Sequence, residues 1–456
     1  MLTTYEAASL IGAEARGENV AFARVTTDSR AVKPGDLFVA LKGERFDAHD
    51  FVAQALADGA AAALVDRGFA LEGANLIVVD DTRLALGRLA AAWRDRFGGR
   101  VVGITGSNGK TTVKEMLAAI LAAHAGADAV LATAGNLNND IGLPLTLLKL
   151  SAAHRYAVIE MGMNHPGEIA YLTRLARPHV ALVNNALRAH LGGFSGVEGI
   201  ARAKAEIYEG LVADGVAVVP AEDAHVELFR AAAAGHETLA FGLAAGDVFA
   251  RDVALESAGS RFTLVSPQGD IAVALPAPGE HNVKNALAAA ALALSLAVPL
   301  STIAAGLAAF GGVKGRLQRK AGRDGRVVID DSYNANPDSM KAGLDVLAAM
   351  PAPRVFVMGD IGELGDTAPM LHAEVGAYAK EKGIDALVTL GPLSRHAADA
   401  FGAGATPFED RASLLAHLDA TLPAGATVLV KGSRFMKMET VVEHLTAAAT
   451  NNAGEK

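Results

Sequence analysis

The sequence predicts an α/β protein of three domains: a small α/β amino-terminal domain, a central P-loop-type domain built on a mostly parallel sheet with an antiparallel extension, and a carboxy-terminal Rossmann-like doubly wound domain. Three observations carry this. Apolar strand-like runs alternate with helical stretches along most of the 456 residues, the rhythm of βαβ units. A strand at Val101–Thr105 runs through a glycine-bearing loop into a helix. The glycine-rich joint Phe310-Gly311-Gly312-Val313-Lys314-Gly315 separates one strand–helix series from another.

In chain order, apolar runs at Leu37–Leu41, Ala61–Val65 and Leu76–Val79 alternate with helix-like segments such as Asp50–Ala57, giving a unit over residues 1–81. Thr82 to Phe97 repeats apolar residues at helical spacing and stops at Gly98-Gly99. The second unit, residues 82–314, has strands at Val101–Thr105, Ala157–Met161, Val180–Asn184 and Val216–Pro220, with helices such as Thr112–Ala123 and Glu198–Leu211 between them. From Glu237 to Leu275 shorter alternating runs, among them Arg261–Val265 and Ile271–Leu275, read as the antiparallel extension, and a helix His281–Leu296 closes the unit. In the third unit, residues 315–456, strands Val327–Asp331, Val355–Met358, Ala386–Leu390 and Thr427–Lys431 alternate with helices Pro337–Met350 and Pro369–Lys382. The tail Ala447–Lys456 is expected to fray.

Composition narrows the chemistry. The absence of cysteine removes disulfides, thiolate metal sites and cysteine nucleophiles. A formal charge of −9 leaves no broad basic footprint for nucleic acid. The mean hydropathy of +0.27 comes from alanine, valine and leucine interrupted by charges. No apolar run of about 18 residues is present for membrane insertion, and the start has no basic segment before an apolar one, so a cytoplasmic protein is expected. A monomer is expected too.

The strongest local signal is Gly106-Ser107-Asn108-Gly109-Lys110-Thr111-Thr112. Glycines let amides close around phosphate oxygens, the helix start adds partial positive charge, Lys110 adds a full one, and Thr111 offers a hydroxyl to Mg²⁺. The usual first glycine of the longer motif would fall at Ile104, so this is a shorter G-x-x-G-K-T form. Glu160 ends an apolar strand, where ligands of parallel sheets gather, and so is a candidate for magnesium. Asn184-Asn185 ends the following strand and leads to His190, either a loop residue or a ligand. Asn282 and Asn285 share one face of a helix's first turn; they suit an adenine edge, and capping by Asn282 is the competing role. Asp330 and Asp331 end a buried strand before Ser332-Tyr333-Asn334-Ala335-Asn336-Pro337, which suits ribose or metal contacts; helix capping explains Asn336 alone.

Taken together, these segments resemble the Mur ligase family, ATP-dependent amide-forming enzymes of peptidoglycan precursor synthesis. The likeness extends through Asn136-Leu137-Asn138-Asn139-Asp140-Ile141-Gly142-Leu143-Pro144, Ala201-Arg202-Ala203-Lys204, His281 to Asn285 and Asp330 to Pro337. It implies ATP on residues 106–112, one Mg²⁺ near Thr111 and Glu160, and a second near Glu160, His190 and a Lys204 carbamylated by CO₂. It assigns Asn282 and Asn285 to the adenine, Arg316 to the γ-phosphate and Asp331 to the ribose. Lys110, Glu160, His190, Lys204 and Arg316 become the catalytic set. Without the resemblance Lys204 reads as a surface helix lysine.

The same resemblance implies UDP-N-acetylmuramoyl-tripeptide and D-alanyl-D-alanine as small-molecule substrates. It places the uridine nucleotide at Thr27-Asp28-Ser29-Arg30 and around Arg45 to Phe51, with Asp47 and His49, and adds Asn138, Asn334 and Asn336 as substrate residues. Gly359 to Gly365, His372 and Lys431-Gly432-Ser433-Arg434 fit as well. Departures are Ala48, where relatives usually have glycine, and Arg188 and Gly192, where they more often carry a smaller residue and a glutamate. A ligase adding the third peptide residue would carry Asp-Asn-Pro-Arg, and Asp331-Ser332-Tyr333-Asn334-Ala335-Asn336-Pro337 stands here instead. A folate polyglutamylating enzyme would share the amide-ligating chemistry. An ATP-binding scaffold that has lost catalysis is opposed by the retained Lys110, Glu160 and Lys204. Closure of the units about Gly311–Gly315 is expected to exclude water from an acyl phosphate.

Overall fold

The computed structural model describes residues 1–44, 46–189 and 191–446. Arg45, His190 and the tail Ala447–Lys456 lie outside the described residues. The central sheet has six parallel strands in the order Glu237–Phe241, Val216–Pro220, Val180–Val183, Arg100–Thr105, Tyr156–Glu160 and Val130–Ala132. Side chains alternate across a strand, so Val102, Ile104, Val158 and Leu182 face helices Lys110–Ala125, Glu280–Ser295 and Leu300–Ala308, while Val101, Ala157, Ile159 and Val183 face the opposite layer. Glu280–Ser295 buries an alanine-rich stripe, which lets its neighbours come close. Where Leu300–Ala308 crosses Lys110–Ala125, a Cβ on Gly306 would strike the Ile120 backbone.

The amino-terminal sheet has five strands, Glu14–Arg16 antiparallel at one edge, then Leu76–Val79, Ala62–Asp66, Asp36–Val39 and Arg24–Thr26 in parallel. Helix Thr82–Arg94, capped by Asp81 through the amides of Arg83 and Leu84, lies between this unit and the central one. One apolar cluster runs continuously through both. The third sheet orders Gln318–Ala321, antiparallel, then Val327–Asp331, Thr427–Lys431, Arg354–Gly359, Ala386–Leu390 and Ala405–Phe408 in parallel. Helices cover both of its faces.

One expectation needs correction. Glu237–Phe241 is not part of an antiparallel extension; it pairs in parallel with Val216–Pro220 as the edge of the central sheet. Only Phe249–Glu256, Gly259–Ser266 and Gly269–Leu275 form the antiparallel meander, as a sheet of their own. Alternation reports a half-buried strand, and it does so equally for either direction of pairing. The strands Val130–Ala132, Gln318–Ala321 and Ala405–Phe408 are only three or four residues long, too short to show a period. Among the described residues no helix is long and apolar enough to cross a membrane.

Candidate active site

The central strand Arg100–Thr105 ends in the loop 106–109, and helix Lys110–Ala125 starts directly after it. Gly109 stands at φ +80°, and a side chain there would run into the Asn285 oxygen. A second loop, leaving the adjacent strand Val180–Val183, braces the first. Ser107 and Asn108 donate their amides to the Asn185 carbonyl (3.0 Å) and Oδ1 (2.9 Å). Leu187 N–H donates to Ser107 Oγ (2.9 Å), and that hydroxyl donates to the Leu187 carbonyl (3.0 Å). With those amides occupied, the uncapped helix start is left, and the amides of residues 109–112 have no protein acceptor among the described residues. That is an anion site by construction.

Lys110 folds back onto the carbonyls of Gly106 (2.7 Å) and Ser107 (3.3 Å). Burial lowers its proton affinity, Glu160 works against that and Arg316 adds to it, so all three charges meet here. Glu160 is 2% exposed; its Oε1 accepts from Asn138 (2.8 Å), its backbone amide donates to Thr133 Oγ1 (3.0 Å), and its Oε2 is buried without a partner. Lys204, on helix Val197–Ala205, is also buried. Burial first and the Lys110 charge second push its amine well below the ordinary lysine range, and its Nζ finds no hydrogen-bond partner among the described residues. Arg316 stacks on Tyr333 (4.7 Å) and donates to Thr111 Oγ1 (3.3 Å).

Beside the loop opens a cavity of about 670 Å³ whose lining includes Asn108, Thr112, Asn282, Asn285 and Arg316 with Asp331 and Lys431 of the third unit. Asn285 Nδ2 donates to Asn282 Oδ1 (3.3 Å), Asn282 Nδ2 to the Pro278 carbonyl (2.8 Å), and Asn184 Nδ2 to Asn285 Oδ1 (3.0 Å). Gly279 occupies the N-cap, so the capping reading of Asn282 falls. The two acids at the end of Val327–Asp331 part ways. Asp330 is spent on Lys320 (2.7 Å) and the Ser332 hydroxyl (2.6 Å), whereas Asp331 faces the cavity and holds Lys431 (2.6 Å).

A smaller cavity of about 80 Å³ also borders the loop, lined by Ser107, Lys110, Arg316, Asn334 and Asn336 among others. Asn336 caps helix Pro337–Ala348 in a capping box with Ser339 and also exchanges amide bonds with Asn108 (2.7 and 3.2 Å). Asn138 and Asn336 are thus occupied by protein partners, and Asn334 is exposed.

Thr27, Asp28, Ser29, Arg30, Asp47 and His49 stand in the amino-terminal unit and line neither cavity. Asp28 caps the turn Ser29–Ala31 and pairs with Arg30 (2.9 Å). His49 Nε2 accepts the Asp66 amide (3.0 Å), which leaves Nδ1 to donate to Asp47 (2.5 Å), so both ring nitrogens hold that turn together. Sequence reading missed the bracing by Asn184 and Asn185, the Asn108–Asn336 exchange and the Lys431–Asp331 pair. Two asparagines directly after a strand were the one signal on view.

Residues 22–94 match the Mur ligase family catalytic domain, 104–293 the Mur ligase middle domain and 315–434 the Mur ligase glutamate ligase domain. Over 453 residues the chain is 46% identical to the UDP-N-acetylmuramoyl-tripeptide–D-alanyl-D-alanine ligase of Escherichia coli K12, covering 98% of this chain and 99% of that one. The chain is a Mur ligase. It is therefore an ATP-dependent enzyme forming a carbon–nitrogen bond. The Haemophilus influenzae ligase of the same name is 43% identical, covering 97% of this Mur ligase and 98% of its own length. A crystal structure of MurF from Acinetobacter baumannii superposes with a TM-score of 0.92 at 42% identity, covering 97% and 98% of the two chains. MurF ligase from Thermotoga maritima, solved in complex with ADP, superposes at 0.82 with 29% identity, covering 92% of this chain and 96% of that one. The folylpolyglutamate synthase of Mycobacterium tuberculosis, 18% identical, shares the fold.

Proposed function

We propose that this Mur ligase joins D-alanyl-D-alanine to UDP-N-acetylmuramoyl-tripeptide, giving the pentapeptide precursor of peptidoglycan with release of ADP and phosphate. The full-length identity of 46% to a ligase of that name carries the reading. A carboxylate is a weak electrophile, so the tripeptide's terminal carboxylate oxygen first attacks the γ-phosphorus of ATP, the bond to the bridging oxygen breaks and ADP leaves. The dipeptide amine then attacks the acyl carbon, gives up a proton, and expels phosphate as the amide forms. Lys110, Arg316 and the amides of residues 109–112 meet the negative charge, so catalysis is positioning and charge neutralisation. Asn282 and Asn285 take the adenine and Asp331 the ribose, in the cavity those residues line. Asn334 borders the reacting carboxylate, while Asn138 and Asn336 act by holding Glu160 and Asn108. The uridine nucleotide binds the turns at Thr27, Asp28, Ser29, Arg30, Asp47 and His49.

The donors present suit Mg²⁺. Glu160 offers a buried oxygen with no partner and Thr111 a hydroxyl, and no cage of three or more acidic or histidine side chains is formed among the described residues. Magnesium typically takes one or two carboxylates and completes its shell with phosphate oxygens and water. When bound, it neutralises phosphate charge. His190, outside the described residues, and Lys204 would complete a second site. A buried amine held neutral is nucleophilic towards CO₂; attack and loss of a proton convert Lys204 into an anionic carbamate, which a cation then satisfies. We propose a monomer in the cytoplasm, where ATP and UDP-linked precursors meet, without nucleic acid as a partner.

An ADP-release assay with UDP-N-acetylmuramoyl-tripeptide tests the reading. Turnover with D-alanyl-D-alanine, and none with single amino acids or in Lys110→Ala, is expected; turnover with a single amino acid alone overturns it.

A further inference from the structure

Arg188 has no part in the chemistry above, yet among the described residues it makes a dense set of charged contacts between two units. Its guanidinium donates to Asp338 Oδ1 through Nη2 (2.6 Å) and Nε (3.1 Å), and to both Glu374 oxygens through Nη1 (2.9 and 3.0 Å). Its backbone amide donates to Asp338 Oδ2 (3.0 Å). Asp338 lies in the first turn of helix Pro337–Ala348 and Glu374 in helix Ala368–Glu381, both of the third unit. Lys341 bonds the same Glu374 (2.5 Å), so the pairs form a network. The three side chains are 28%, 22% and 32% exposed, a partly dry setting in which bidentate arginine pairs outweigh ordinary surface ones.

What the clamp is attached to matters more than its strength. Arg188 follows Leu187, which exchanges hydrogen bonds with Ser107 of the phosphate loop. Two weaker crossings flank it, Gly192 N–H to the Glu363 carbonyl (2.9 Å) and the Asn108–Asn336 exchange. The nucleotide cavity has one wall from the central unit and another, with Asp331, Lys431 and Asp338, from the third.

We infer that Arg188 is a positioning residue for ATP: it locks the third unit against the loop that shapes the phosphate cradle, and the two-walled nucleotide cavity is complete only while the lock is made. For turnover this rests on the ligase reading above; for nucleotide binding it does not. If the docked state falls to a tenth of the population, apparent affinity falls tenfold while the bound complex reacts as before.

The test measures ADP affinity by calorimetry and steady-state kinetics for Arg188→Ala, Arg188→Lys, Glu374→Gln and the Ala/Gln double variant, at low and high salt. Arg188→Ala is expected to raise Kd for ADP and KM for ATP about tenfold with kcat within about twofold. Arg188→Lys, able to reach one carboxylate, recovers part of the loss. Glu374→Gln gives a smaller loss of the same kind, and the double variant is no worse than Arg188→Ala. The gap from wild type narrows at high salt. Wild-type ADP affinity in Arg188→Ala overturns the proposal, as does a loss confined to kcat. Tighter ADP binding in Glu374→Gln also overturns it, because it would mean that freeing the guanidinium lets it bind phosphate directly. An inactive wild-type protein whose ADP affinity still follows Arg188 would sink the ligase reading and leave the clamp standing.

Discussion

Helices Lys110–Ala125 and Val197–Ala205 each bury a lysine close to the phosphate loop, and they treat it in opposite ways. Lys114 is fully buried, and its ammonium donates to the Thr133 carbonyl (2.5 Å) and pairs with Glu115 (2.8 Å). Thr133 in turn accepts the Glu160 amide (3.0 Å), so this lysine is part of the frame that aims a carboxylate. Lys204 is just as buried, and no side chain or carbonyl among the described residues answers it. Folding alone gives no return for burying an unpaired amine, which costs several kcal/mol as a cation. The contrast separates a lysine answered by protein partners from one left unanswered among the described residues, and a residue count of buried lysines would miss it.

The largest expected effect falls on the unpartnered one. Lys204→Ala is expected to lower kcat by about a thousandfold or more, the scale of losing a group that acts on the reacting charge, while thermal stability stays level or rises. A large fall in melting temperature with kcat retained would reverse the assignment. Lys114→Met should do the opposite, costing about 1–3 kcal/mol of stability by leaving the buried Thr133 carbonyl unanswered. Its kcat, measured well below the melting temperature, should fall far less than that of Lys204→Ala. If the two variants behave alike, partnering is not the distinction.

Acid carries the same contrast to a third side chain. His281 lines the cavity beside the phosphate loop, and burial pushes its imidazole down to about 4, with no hydrogen-bond partner among the described residues. The unfolded chain binds a proton below the ordinary value of 6.5 and the folded chain does not until about 4, so stability rises with pH across that interval and is flat above it. One proton gives a slope of at most about 1.4 kcal/mol per pH unit. Denaturant melts of His281→Gln should lack that slope between pH 4.5 and 6 and match the wild type's pH response above 7. An unchanged slope would mean that the histidine is charged or solvated in the folded protein.

These features divide by how far apart their parts lie in the chain. The strands, the phosphate loop and the helix that follows it are local, and Val101 to Thr112 shows them through apolar runs, glycine placement and one lysine. Glu160 was legible for a similar reason, as an acid ending a buried strand. Lys204 was visible only by resemblance, because an exposed helical lysine and a buried one have the same neighbours in sequence. The Arg188 clamp reaches 150 and 186 residues along the chain and the Asn108–Asn336 exchange 228, so no window reveals either. The parallel pairing of Glu237–Phe241 is hidden in the same way, since direction belongs to the partner strand.

Asn336 gives the smallest expected effect and the finest separation, because one amide is doing two jobs. Its Oδ1 accepts the Ser339 amide (2.8 Å) at the start of helix Pro337–Ala348, and its Nδ2 donates to Asn108 Oδ1 (2.7 Å) on the phosphate loop. Asn336→Ala removes both and should cost about 1 kcal/mol, the usual worth of an N-cap, with a modest rise in KM for ATP. Asn336→Asp keeps an oxygen for the cap but cannot donate across the units. It should therefore melt like the wild type while keeping the KM defect of the alanine variant. Recovery of both by aspartate would mean that the Asn336 Nδ2 donation contributes nothing, and that the return bond from Asn108 Nδ2 to the retained oxygen is enough to hold the crossing.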